Sequence, residues 1–370
     1  MITHVIKHLV NIDLKVGNQN SSSQSARGDD REAAKRKRRD QGNHECEVLG
    51  EGSEVVECAF TWSECSKNPG HTDFIPAPEF CLDHLPRWCS DPSVVECVRT
   101  IAALTVRLRV SYTSWSRPDG YTFSKHRGSG ILHTGSGWVR KIQPGSGPCR
   151  CPECRRSSFP RQDWYEVHLE TACHVVYNTE EAQATKVDFF FDDERSKVEG
   201  WIETIHAFAA TDQDEKGDIC ILLCATHDHD LGDILQVCVD KLRPMERFNI
   251  CAVYSQIRTR HLCIIVSHPH GRPKQVTVGE EQLHMTAAAD HRYFTYSTAT
   301  CPGSSGAPVL FVQLSPDILN KSKFVKSNGS LISPLSQWLP ADGLNQSSGL
   351  VVLSYWDNTV YPQRVVFDAC

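Results

Sequence analysis

Thr105-Val106-Arg107-Leu108-Arg109-Val110-Ser111-Tyr112 alternates polar and apolar residues without a break. In an extended chain successive side chains point to opposite faces, so this stretch predicts a half-buried antiparallel strand. Downstream, short apolar runs recur at residues 137–139, 164–169, 187–191, 219–225, 263–266, 276–278 and 350–355, each bounded by Gly, Pro, Asp or Asn. Many short strands separated by turn residues predict an all-β barrel or sandwich. No long amphipathic helix is expected between them. Upstream, Pro92 to Leu104 has mixed helical character and leads into the first strand.

The chemistry centres on Ala299-Thr300-Cys301-Pro302-Gly303-Ser304-Ser305-Gly306-Ala307-Pro308. Gly, Ser and Pro often mark plain surface turns. A serine set between glycines also suits a tight turn that exposes its hydroxyl while backbone NH groups converge on whatever it attacks. The apolar run Val309-Leu310-Phe311-Val312 would anchor that turn on a buried strand. A serine nucleophile needs an imidazole, and the imidazole a carboxylate that fixes its tautomer. The best base is His174, in Leu169-Glu170-Thr171-Ala172-Cys173-His174. The best acid is Asp218, at the start of the apolar run Ile219-Cys220-Ile221-Leu222-Leu223.

Taken in order, Thr171-Ala172-Cys173-His174, Asp218-Ile219 and Gly303-Ser304-Ser305-Gly306-Ala307-Pro308 resemble the motifs of the chymotrypsin-like serine peptidase clan. Gly135-Ser136-Gly137-Trp138-Val139 resembles the strand before the histidine, and Ser267-His268-Pro269-His270-Gly271 a hairpin loop before the serine. The resemblance implies an all-β fold with a double six-stranded antiparallel β-barrel, the active site lying between the barrels. It implies Ser305 as nucleophile, His174 as general base and acid, Asp218 as the orienting carboxylate, and the NH groups of Gly303 and Ser305 as oxyanion hole. The Ser304 side chain would point away. Ala299, Thr300, Ser347, Ser348 and Gly349 would line the specificity pocket. Ala299 stands where trypsin-like enzymes carry an aspartate, so a small or neutral polar side chain is expected there rather than Lys or Arg. Ser304 replaces the aspartate that pairs with a new N-terminus in digestive members, so activation by that route is not expected. Val175 replaces a cysteine beside the histidine, in keeping with a reducing compartment.

Composition sets the wider frame. Over 370 residues the net charge is -6, which offers no bulk attraction to nucleic acid or to an anionic membrane surface. His4, Lys7 and His8 interrupt the apolar N-terminus, and no apolar run approaches membrane-spanning length. These features predict an intracellular protein, cytoplasmic or nuclear, with neither secretion nor a membrane partner. The 17 cysteines include Cys220, Cys224, Cys238, Cys251 and Cys263 inside apolar runs, which read as buried reduced thiols. Four parts are expected: an N-terminal segment at 1–15, a disordered basic linker at 16–43, a mixed Cys-rich extension at 44–103, and the peptidase domain at 104–370. Within the linker, Lys35-Arg36-Lys37-Arg38-Arg39 reads as a solvated charge run or as a nuclear address, and nucleic-acid binding through it is not favoured.

No cofactor is required for the expected catalysis. Cys149, Cys151 and Cys154 are dense enough for a structural zinc, with His168, Cys173 or His133 as the fourth ligand; otherwise they are unpaired loop thiols. Thr226-His227-Asp228-His229-Asp230 also looks metal-like, but a solvated loop after the Asp218 strand is the better reading. Cys46, Cys58, Cys65, Cys81, Cys89 and Cys97 of the extension, with His71 and His84 among them, could bind zinc, but they include no Cys-x-x-Cys pair, the usual signature of a structural site. The leading expectation is a serine endopeptidase acting on protein or peptide through an acyl-enzyme. The alternative is a catalytically inactive protease-fold module that binds protein.

Overall fold

Strand β3 (Thr105–Val110) shows why this chain forms sheets, and what the alternation alone does not reveal. Val106, Leu108 and Val110 enter the hydrophobic core. The opposite face is covered as well: Arg107 and Arg109 both bond the buried Asp188 carboxylate and both pair with Glu54. The strand is therefore buried on both faces, because charge pairing replaces water on the second one.

The structure is a computed structural model that describes residues 28–50, 54–242, 260–282, 284–288, 291–313, 329–339 and 344–348. Around β3 lie β1 (Glu47–Val48), β2 (Ile75–Pro76), β4 (His133–Pro144), β5 (Tyr165–Thr171), β6 (Thr185–Phe189), β7 (Glu203–Asp214) and β8 (Ile219–Thr226). Further on come β9 (Arg260–Ser267), β10 (Gln275–Gln282), β11 (His284–Ala288), β12 (His291–Tyr296), β13 (Pro308–Gln313), β14 (Gly329–Leu339) and β15 (Leu344–Ser348). One sheet runs β1-β4-β3-β6-β7-β8-β5, and β5 pairs again with β4. That pairing closes β4, β3, β6, β7, β8 and β5 into a six-stranded antiparallel barrel with no free edge. The other sheet runs β11-β12-β15-β14-β13-β9-β10-β2. Its end strands do not pair with each other among the described residues.

Three sequence expectations change here. The disordered linker is contradicted from Gly28 onward, because Gly28–Arg39 is a helix. Lys37 of the basic run is fully buried, donating to Thr113 Oγ1 and to the Ile131 carbonyl, each at 2.9 Å. Burial, then the nearby Arg117 charge, lowers its pKa to about 7, so it enters the interior at a much reduced cost in charge. The Cys-rich extension is woven into both sheets, β1 pairing with β4 and β2 with β10. Finally, an amphipathic helix, His229–Leu242, does interrupt the strands, burying Leu231, Leu235, Cys238, Val239 and Leu242 at helical spacing. The expected segment at 1–15, the rest of residues 1–27 and the strand expected at 350–355 lie outside the described residues.

Candidate active site

The turn that carries Ser305 is fixed by two glycines and one serine of the barrel. Gly303 and Gly306 have φ of 94° and 82°, in the left-handed region, and a Cβ on Gly303 would lie 2.7 Å from the His268 carbonyl. Ser136 of β4 ties the turn down: its NH donates to the Ser305 carbonyl at 2.7 Å, and its hydroxyl donates to the Gly303 carbonyl at 2.9 Å. Strand β13 then holds the turn between β9 and β14. The Ser304 hydroxyl meets the Ser267 hydroxyl at 3.0 Å, turned into the β9 side rather than toward His174.

His174 and Asp218 come together because β5 and β8 pair antiparallel, with Thr171 opposite Cys220. The chain leaves β5 just before His174 and enters β8 just after Asp218, whose φ of 54° is one that aspartate tolerates. The Asp218 carboxylate accepts from His174 Nδ1 at 2.7 Å and from the His174 backbone NH at 2.9 Å. Arg117 donates to the His174 carbonyl and pairs with the buried Glu181. His174 is fully buried, and its Nε2 has no hydrogen-bond partner. Burial opposes the imidazolium, but Asp218, followed by the Cys46 sulfur, outweighs it and lifts His174 to about 9.

The cleft is occupied by the chain itself. His44 stacks on His174 with ring centroids 4.0 Å apart and an interplanar angle of 11°. The Gly303 NH donates to the Glu45 carbonyl at 2.7 Å, and the Glu45 NH donates to Ser305 Oγ at 3.3 Å. The Gln41 side-chain amide brackets Cys46, accepting from its NH and donating to its carbonyl. Glu47 and Val48 then continue as β1, opposite Thr134 and His133. The Glu45 carboxylate lies against Lys67 Nζ at 2.6 Å and Thr300 Oγ1 at 3.4 Å. Thr300, expected to line the specificity pocket, contacts the Glu45 carboxylate and Lys67. Lys67, from the extension, was not foreseen; its Nζ meets the Glu45 carboxylate and Thr300 Oγ1 beside the serine turn. The Ala299 carbonyl accepts from Thr277. Ser347 and Ser348 lie on β15 opposite Phe294 and Tyr293. Gly349 lies outside the described residues.

Residues 162–313 match the trypsin-like peptidase domain family. This segment belongs to the chymotrypsin-like serine peptidase clan. The match runs from just before β5 through β13 and so takes in His174, Asp218 and Ser305. A peptidase domain of this kind hydrolyses peptide bonds, and its substrates are proteins or peptides. No curated protein matches the chain.

Two further groups of thiols and imidazoles converge away from the serine. Cys149, Cys151 and Cys154 meet His227, whose Nε2 lies 3.1, 4.0 and 3.5 Å from the three sulfurs in turn. The expected fourth ligands sit elsewhere: His168 bonds Glu166, His133 bonds the Val175 carbonyl, and Cys173 precedes His174. His227, read as part of a solvated loop, is the one that reaches. The second group, Cys65, His71, His270 and Cys301, joins the extension to the serine turn, with all ligand atoms within 4.8 Å of one another. No helix among the described residues is long and apolar enough to cross a membrane.

Proposed function

We propose that the chain is a serine endopeptidase in which Ser305 attacks the peptide carbonyl, His174 relays its proton and Asp218 orients the imidazole. The observation that carries this reading is the pair of hydrogen bonds that His174 donates to Asp218, from its backbone NH and from Nδ1–H, which leaves Nε2 as the acceptor. The Ser305 hydroxyl proton passes to Nε2 as the acyl-enzyme forms, and then to the departing amine. Water attacks the ester with His174 again as base. The Gly303 NH, already on a peptide carbonyl, holds the oxyanion. No described bond pairs the Ser305 NH with that carbonyl.

In the same reading the second sheet completes the double barrel, residues 104–370 form the peptidase domain, and the buried thiols Cys220, Cys224 and Cys263 suit a reducing, intracellular compartment. Catalysis requires no cofactor, and a structural zinc sits at Cys149, Cys151, Cys154 and His227. The inactive binding module is favoured by one feature, the bond that Ser305 Oγ makes to Glu45 rather than to His174. Labelling with a fluorophosphonate probe separates the two readings. Labelling lost in Ser305→Ala and His174→Ala but kept in Ser304→Ala supports the peptidase. A folded chain that stays unlabelled supports the module.

A further inference from the structure

We propose that the peptide bond between Glu45 and Cys46 is the chain's own substrate, and that the cleft selects an acidic residue on the acyl side of the bond it cuts. The inference rests on the peptidase reading above. Residues 44–48 lie in the cleft as an extended substrate would. The Glu45 carbonyl takes the NH of Gly303, His44 covers the His174 ring, and Glu47 and Val48 add a strand to β4. The Glu45 carboxylate is held by Lys67, which itself donates to Thr300 at 2.9 Å, while Asn68 donates to the Thr300 carbonyl at 2.7 Å. The pocket is thus a cationic socket made by residues 67, 68 and 300. Beyond the scissile bond, the Glu47 carboxylate meets Arg38 and His270, each at 2.7 Å, so a second acid is accommodated there.

The chemistry balances as a hydrolysis. Ser305 Oγ bonds to the Glu45 carbonyl carbon, and its proton moves to His174 Nε2. The bond to the Cys46 nitrogen breaks as that proton is delivered to it, and water then releases the Glu45 carboxylate. The N-terminal product ends in Glu45, whose side chain still fits the socket.

The test is intact-mass analysis of the full chain over time, with hydrolysis of an acidic-residue peptide library measured in parallel. Wild type is expected to yield a fragment beginning at Cys46, and Ser305→Ala to stay whole. Glu45→Ala is expected to slow the cut by about tenfold to a hundredfold, the worth of one charged hydrogen-bonded contact. A wild-type chain that remains whole yet hydrolyses the library overturns self-cleavage and spares the peptidase reading. A chain that remains whole and leaves both library and fluorophosphonate probe untouched overturns both. Cutting that persists in Ser305→Ala overturns the inference too, since another agent then makes it.

A second, independent observation concerns the group behind the socket. We infer that Cys65, His71, His270 and Cys301 bind one zinc ion. The Cys65 and Cys301 sulfurs are 3.6 Å apart, and Cys301 Sγ is 3.4 Å from His71 Nε2. Tetrahedral zinc, with bonds of about 2.3 Å to sulfur and about 2.0 Å to nitrogen, sets such pairs about 3.5–3.8 Å apart. His270 is 3% exposed; its Nδ1 meets the Glu47 carboxylate, and its Nε2 is buried with no hydrogen-bond partner. A carboxylate behind a ligating imidazole is the usual support of a zinc histidine. Trp62 stacks on His71 with centroids 3.6 Å apart, which fixes the imidazole's plane. Metal analysis of the full chain tests this. Cys65→Ser and His270→Ala should each remove one equivalent of zinc, and cobalt substitution should show absorption of a site with two thiolates that Cys65→Ser abolishes. Zinc content unchanged in both variants overturns the site, as does an intact mass showing Cys65 and Cys301 oxidised to a disulfide.

Discussion

Asp218 holds His174 at two points, accepting from the ring Nδ1 at 2.7 Å and from the backbone NH at 2.9 Å. The carboxylate thus fixes both the tautomer of the ring and the position of the segment that carries it. Asp218→Asn keeps the shape but presents an NH2 to Nδ1, so Nδ1 must accept, the ring proton moves to Nε2, and Nε2 can no longer take the serine proton. The turnover number should fall about ten-thousandfold with the fold retained, as read by peptide hydrolysis alongside circular dichroism.

The pH dependence follows from the groups facing His174: Asp218, Cys46, His44, Arg117 and His133. Its pKa is raised from 6.5 to about 9, so the imidazolium is favoured in the folded chain. The stabilising contribution is complete below 6.5 and is lost as pH rises through about 9. A base must be neutral to act, so the rate of serine labelling should climb toward pH 9. Cys46→Ser removes one of the raising contacts and should move that climb to lower pH, measured as a pH–rate profile.

Gly303 has no room for a side chain. Gly303→Ala would force a Cβ against the His268 carbonyl at a φ that alanine avoids, turning the oxyanion donor aside. Activity should fall about a hundredfold to a thousandfold, the usual cost of losing one such donor, with little change in the circular dichroism spectrum.

Asp188 lies fully buried between Arg107 and Arg109 and also accepts from Thr204. Burial alone would raise its pKa, but Arg107 and then Arg109 overcome this and hold it at about 2. Its contribution is therefore present above the ordinary 3.8 and is lost as pH falls through about 2. Asp188→Ala removes the fully buried carboxylate that Arg107 and Arg109 share, leaving the two cations only Glu54, and should destabilise the barrel by about 3–5 kcal/mol, read from urea unfolding.

The thiol group at the barrel rim gives a separate reading. Cys149→Ser should lower zinc content by one equivalent, and chelation should loosen the Pro152–Arg156 turn, seen as faster hydrogen exchange there. Unchanged zinc in this variant would falsify the assignment.

What could be read from the sequence was what is local. The alternating run at 105–112 became β3, and the short apolar runs at 164–169, 187–191 and 219–225 became β5, β6 and β8, while the motifs holding His174, Asp218 and Ser305 are short and local. The helix His229–Leu242 was legible too, since Leu231, Leu235, Cys238 and Leu242 follow a helical period, but adjacent strand-like runs masked it. Other features depend on distant partners. Lys37 looks solvated until Thr113 and Ile131 close over it, and Lys67 reaches the pocket only because the extension packs against the serine turn. His71 and Cys301 meet across more than half the chain, and no spacing rule spans that distance.

The docked Gly28–Arg39 helix also acts as a leash. With Lys37 buried, the helix keeps residues 44–48 beside Ser305 at a local concentration on the order of millimolar for so short a connection. A peptide arriving from solution must outcompete that tethered occupant. If the chain is the peptidase proposed above, its apparent Michaelis constant before any cut should report the strength of the leash as much as the fit of the substrate.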